Sequence, residues 1–199
     1  MNNLEYLNQI SKTSRPVKNS GNNQGFGTII KIAVIGVVAF IILFIVGAII
    51  SSKSNSASTL GPQIYIRTTN LEKTINTYNK SLRSSRLRSI GLTLSSTLTA
   101  ATNQLDPFFK SSASKDKNLT QSETEYQANL DGTLTNAKLN GMLDRAYANQ
   151  MQLQTSLLLS MLEQAINHTR DENLKNIYAQ YQSNLTATNT DLVNYSSSD

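Results

Sequence analysis

The chain has 199 residues, enough for one modest domain and an appendage, and 18 basic against 13 acidic residues leave it at net +5. It holds 24 Ser, 20 Thr and 22 Asn, a third of the whole, with no Cys, no Trp and a single His. A disulfide framework, a Cys-ligated zinc or iron–sulfur site, a Cys nucleophile and a lipid anchor on Cys are therefore excluded, and a Ser–His–Asp triad would have to use His168.

Residues 1–28 are polar, with Asn, Ser and Gly clustered between Asn19 and Gly27. Leu4, Leu7 and Ile10 can line one helical turn but cannot bury a core, so a disordered tail is expected. Ile29–Ile50 follows, 22 residues whose one charge is Lys31. As a helix it spans about 33 Å, enough for a hydrocarbon layer of about 30 Å. Lipid offers the backbone no hydrogen-bond partners, so a spanning segment here must be helical. The run is longer than the apolar stretch of a secretory signal, which favours an uncleaved anchor. Lys12, Arg15, Lys18 and Lys31 flank it on one side, Lys53 and Arg67 on the other. The positive-inside rule then puts the first 28 residues in the cytoplasm and residues 51–199 outside. Gly25 and Phe26 ahead of the apolar run resemble the processing site of type IV prepilins, but the fifth position after that cut, normally Glu, is Ile30.

Residues 51–61 read as a Ser-rich flexible linker, and Pro62 suits the first position of a helix. From there to residue 195 the apolar period is helical. Leu71, Ile75, Tyr78 and Leu82 form one stripe, and Leu87, Ile90, Leu94, Leu98, Ala101 and Leu105 a second. The phase slips across residues 83–86, which is either a turn between two helices or a kink in one. Asp106–Pro107 should end the second stripe, with residues 111–118 a polar loop. Thr120 and Glu123 fit a capping box opening a helix with Tyr126, Leu130 and Leu134 on one face. A long apolar face runs through Leu143, Tyr147, Met151, Leu158, Met161, Leu162, Ala165 and Ile166. Thr169 and Glu172 make a second capping box, before Leu174, Ile177, Tyr178, Tyr181, Leu185 and Leu192. The expected fold class is all-α: one transmembrane helix, then an antiparallel bundle of four or five helices.

Residues 143–192 carry a resemblance. Leu143, Asp144, Arg145, Ala146 and Tyr147, then Met151, and downstream Asp171, Leu174, Lys175, Ile177, Leu185 and Leu192 resemble the C-terminal half of a bacterial periplasmic ferritin-like family of unknown function. The resemblance implies an up-down helix bundle outside the cytoplasm. Members of that family often carry His at positions that are Thr155 and Thr188 here, so the ligands it implies are missing.

The residues supply little chemistry. A di-iron site in a bundle needs Glu-x-x-His pairs on facing helices, and none occurs. Glu163 stands five residues before His168, on another face, and His168 falls at a helix end. Ser112 and Lys115 match the S-x-x-K spacing of serine acyl enzymes, without the partner motifs. Five Asn-x-Ser/Thr sequons, at Asn79, Asn118, Asn167, Asn184 and Asn194, are what this composition supplies by chance. No catalytic residue, cofactor or metal ligand is assigned. The one charge feature is Lys80, Arg83, Arg86 and Arg88, four cations within nine residues and no acid between, a candidate anion-binding patch whose plain alternative is a solvated helix junction. Residues 51–199 hold 14 basic and 12 acidic side chains, too even a balance for a dedicated nucleic-acid binder. The expected protein is a membrane-anchored, extracytoplasmic bundle with a non-catalytic interaction or structural role, its partners the bilayer and an envelope protein or a second copy. A ferritin-like metal or stress domain, a ligand-sensing ectodomain and a pilin-like subunit are the alternatives.

Overall fold

In the computed structural model, which describes residues 56–196, the chain enters a helical bundle through α1, Ser56–Tyr78. A 3-10 turn at Asn79–Ser81 leads to α2, Ser85–Lys115, and Asp116 alone separates α2 from α3, Lys117–Leu139. Then come α4, Leu143–His168, and α5, Glu172–Ser196. No strand occurs among the described residues.

The side-chain bonds between helices give their directions. Asn76 accepts from Ser95 (2.9 Å), Glu72 from Thr99 (2.7 Å) and Asp106 from Tyr65 (2.6 Å), so α1 and α2 run antiparallel. Glu123 accepts from Gln63 (2.8 Å) and Asp131 from Thr74 (3.1 Å), so α3 runs parallel to α1. α1 packs mainly on α2, α2 on α5, α5 on α4 and α4 on α1. These four close a ring in which each neighbour is antiparallel. α3 lies outside it, against α1 and α4, and carries the chain from α2 to its diagonal partner α4. The bundle is thus two helical hairpins joined by one long helical crossover.

The apolar stripes meet in the middle. Leu71, Ile75, Leu87, Leu94, Leu98, Leu105, Tyr147, Met151, Leu158, Tyr178, Tyr181, Leu185 and Leu192 are all buried in one continuous core. Each such aliphatic side chain contributes about 1.5–3 kcal/mol of transfer free energy, which is what holds helices of middling intrinsic propensity together. The phase slip at residues 83–86 is a true turn: Leu82 leaves the 3-10 segment in extended backbone, and the Ser84 hydroxyl caps α2 by accepting from Leu87 N (3.2 Å).

Four sequence expectations change. α1 begins at Ser56, six residues before Pro62, so residues 56–61 of the predicted linker are helical; residues 51–55 lie outside the described residues. α2 passes through Pro107 to Lys115 rather than ending there. Asn103, whose carbonyl loses its i+4 donor to the proline, is exposed, and water can take that donor's place. The predicted loop 111–118 is therefore mostly the end of α2. The cap of α3 is Asp116, accepting from Leu119 N (3.0 Å), not Thr120, and Glu123 is drawn into the core instead. The cap of α5 is Asp171, which accepts from Asn173 N (2.9 Å) and Leu174 N (3.1 Å); Thr169 closes α4. Among the described residues no helix is long and apolar enough to cross a membrane. The tail and the predicted spanning run Ile29–Ile50 lie outside them.

Candidate functional site

The cationic patch read from the sequence lies at one end of the bundle. The 3-10 turn, the short link after it and the first turn of α2 present Lys80, Arg83, Arg86 and Arg88, all exposed. Their backbone is fixed from another helix: the Asp144 carboxylate, in the first turn of α4, accepts from Arg83 N (2.9 Å) and Ser84 N (2.7 Å). That contact brings the α3–α4 turn to the same end, and with it Lys138 and Arg145, both exposed. Gly141 makes this turn possible, since its φ of 71° lies in the left-handed region that glycine enters without strain. The end of α5 reaches there too, with the Arg86 guanidinium 5.9 Å from the Tyr195 ring centroid. Arg88 reaches back to the Leu82 carbonyl (3.3 Å). None of the six cations enters an ion pair among the described residues, where the pairs are Arg67–Glu123, Lys110–Asp106 and Lys175–Glu172.

Two large apolar side chains stand between Lys138 and Arg145: Leu139 is 79% exposed and Met142 57%. Lys138, Leu139 and Met142 were not singled out in the sequence, and Arg145 was named only within the resemblance at residues 143–147. Nothing local marks them; they join the patch only because the Asp144 contact lays one turn against the other.

A second polar group is buried between α1, α3 and α4. Arg67 grips Glu123 with two parallel bonds, Nε to Oε2 (3.0 Å) and Nη2 to Oε1 (2.7 Å), and Gln63 adds a third to Oε1 (2.8 Å). Arg67 is 7% exposed and Glu123 2%. The guanidinium also lies 4.3 Å from the Tyr126 ring centroid, and the Tyr126 hydroxyl donates to Gln154 (2.9 Å). Burial raises the Tyr126 phenol above its usual range, and the Arg67 charge opposes that rise. One to two turns along, Thr74, Gln127 and Asp131 bond one another, and Tyr78 donates to the Asp131 carbonyl (2.9 Å). Every charge here already has its counter-charge or hydrogen bonds, so the cluster ties α3 to α1 and leaves no group free to act on a ligand.

At the other end of the bundle Leu60, Gly61, Phe109, His168, Leu174 and Tyr178 line a cleft of about 110 Å³. His168 there is exposed, at the last position of α4, with Nδ1 2.7 Å from the Gln164 carbonyl. On α1 nearby, burial and then the bond to Asp106 push the Tyr65 phenol up to about 12. Asp106 in turn is held below the usual carboxylate range, first by Tyr65 and then by Lys110.

The remaining sequence candidates do not converge. Thr155 and Thr188, at the positions of the missing His, are buried, and Thr155 donates to Asn189 Oδ1 (2.6 Å). Asp144 serves the α1–α2 turn, while Glu163 and Asp171 are exposed. Among the described residues no three His, Asp or Glu side chains come together as a metal site. Ser112 and Lys115 sit in the last turns of α2, where the Ser112 hydroxyl donates to the Phe109 carbonyl (3.1 Å). Asn79 of the first sequon is buried, and so closed to a glycan. Comparison with protein-family models, curated proteins and solved structures finds no match for this chain.

Proposed function

We propose that the chain is a bacterial single-pass membrane protein, with its tail in the cytoplasm and its bundle outside, serving a non-catalytic interaction or structural role in the cell envelope. The observation that carries this reading is the run Ile32–Ile50, 19 residues without a charge, preceded by Lys12, Arg15, Lys18 and Lys31. The bundle supports the second half of the reading. Its core is filled by side chains, and the charges it buries are spent on each other, as Arg67 and Glu123 are.

The ferritin-like resemblance draws support from connectivity, since a four-helix ring with one long crossover is how such bundles are joined. Metal chemistry draws none: Arg67 occupies Glu123, and Thr155 is bonded to Asn189.

The test is membrane retention. The full chain should stay with the membrane pellet after an alkaline wash. Phe40→Lys, which puts a charge at the centre of the run at a cost of about 2.5–3.5 kcal/mol, should move much of it to the supernatant. A wild-type chain released by the wash would defeat the reading.

A further inference from the structure

We infer that the end of the bundle formed by the α1–α2 and α3–α4 turns docks on an anionic phospholipid bilayer. Lys80, Arg83, Arg86, Arg88, Lys138 and Arg145 gather there, all exposed. Among the described residues the acidic side chains at that end are Asp144, whose oxygens are committed to two backbone amides, and Asp191 on α5. The opposite end is balanced, with Lys110, Lys115, Lys117, Arg170 and Lys175 alongside Asp106, Asp116, Glu163, Asp171 and Glu172. An even total charge thus conceals a polar molecule, positive at the end away from Ser56, about 34 Å along α1.

The apolar groups decide which anion. Leu139 and Met142 project from the turn that carries Lys138 and Arg145, so aliphatic side chains stand among the cations. A phosphate polymer has no use for them. Proteins that bind single-stranded nucleic acid stack bases on aromatic rings, and among the described residues the exposed large apolar ones are Leu92, Leu139, Met142 and Val193, none aromatic. A bilayer uses both: lipid phosphates attract the cations, and aliphatic side chains enter the boundary between headgroups and acyl chains. The inference does not depend on residues 29–50, which would meet a bilayer in another way.

The experiment places the full chain in nanodiscs of zwitterionic lipid and mixes them with vesicles, either phosphatidylcholine alone or with about 30 mol% phosphatidylglycerol. Flotation should carry the discs up with the anionic vesicles only, and about 0.5 M salt should release them. Arg83→Glu, Lys138→Glu and Arg145→Glu together touch no internal side-chain bond. At about fivefold per cation the three together should weaken flotation at least about 100-fold, with the helical circular dichroism unchanged. Leu139→Ser with Met142→Ser should weaken it while leaving the charge intact. Equal flotation with both vesicles, or no loss on charge reversal, overturns the inference. So does capture by soluble polyphosphate that the serine variant retains in full, because the partner would then be a free polyanion. A gel of the discs before mixing shows whether the chain is anchored in them. Should it leave them, the anchoring reading fails, and the same variants compared as free chain decide the docking.

Discussion

Around Gly91 three buried groups crowd one point. A Cβ at this position would collide with the Asn79 side-chain oxygen and stand 2.8 Å from the Tyr147 hydroxyl. Both atoms are buried without a hydrogen-bond partner. Two substitutions here should act in opposite directions. Gly91→Ala gains about 1 kcal/mol of helix propensity but forces two packed polar groups apart. The expected net effect is a loss of about 1–3 kcal/mol, read as a lower midpoint in urea. Tyr147→Phe removes a hydroxyl desolvated for no bond and should be neutral or stabilising by about 1 kcal/mol. A stabilised Gly91→Ala, or a Tyr147→Phe that loses more than about 1 kcal/mol, would show that these groups are bonded in a way the geometry does not express. The apolar half of this neighbourhood was readable in advance, because Tyr147 and Ile90 fall on helical stripes. Asn79 was not: inside a junction of polar residues nothing local tells a buried Asn from a solvated one.

Among the helices, α3 is the one whose sequence misleads most. Its apolar stripe is short, with Leu130 and Leu134 buried and Tyr126 half-buried, and its hold on the bundle is largely polar. Thr120 and Glu123 look like a capping box because their spacing is right. Asp116 takes that role since it already stands beside the end of α2, which frees Glu123 to meet Arg67 from α1. No local pattern reveals a partner 56 residues away. Arg67→Met alone would leave Glu123 buried and uncompensated, with an expected loss of about 3–5 kcal/mol. Arg67→Met combined with Glu123→Leu should recover most of it, because two apolar groups of similar volume leave no charge stranded. Denaturant midpoints of the two variants check this; a double variant no better than the single one would contradict it. Pro107 is the other misreading. A proline rule is a rule about freed carbonyls and crowding, and on a face where Asn103 is exposed the helix continues past it. The five stripes themselves were legible, as was the phase slip at residues 83–86, which the pattern left open between a turn and a kink. Which turns share an end was not, and the cationic surface depends on that.

For the molecule as a whole, tyrosines set the alkaline limit. Burial raises the phenols of Tyr126, Tyr147, Tyr178 and Tyr181, and burial with the Asp106 bond puts Tyr65 at about 12. A phenol raised by folding contributes stability that is fully present below its unfolded value near pH 10 and is lost as pH climbs through the folded one. The bundle should therefore hold its helix to about pH 10 and then unfold cooperatively, with a jump in phenolate absorbance at the loss of helical signal. Smooth phenolate titration near pH 10 with the helix intact would contradict this burial pattern. Asp106 acts at the acid side with the opposite sign: lowered in the folded state, it contributes above the usual carboxylate range and is lost as pH falls through its native value.

The absence of Cys makes the compartment that holds the bundle directly measurable. Two single-Cys variants of the full chain, Ser14→Cys in the tail and Ser122→Cys on the exposed face of α3, would be treated in spheroplasts with a membrane-impermeant maleimide. Ser122→Cys should label in intact spheroplasts and Ser14→Cys only after lysis. Labelling of Ser14→Cys with protection of Ser122→Cys, or recovery of both in the soluble fraction, would contradict a membrane-anchored bundle outside the cytoplasm.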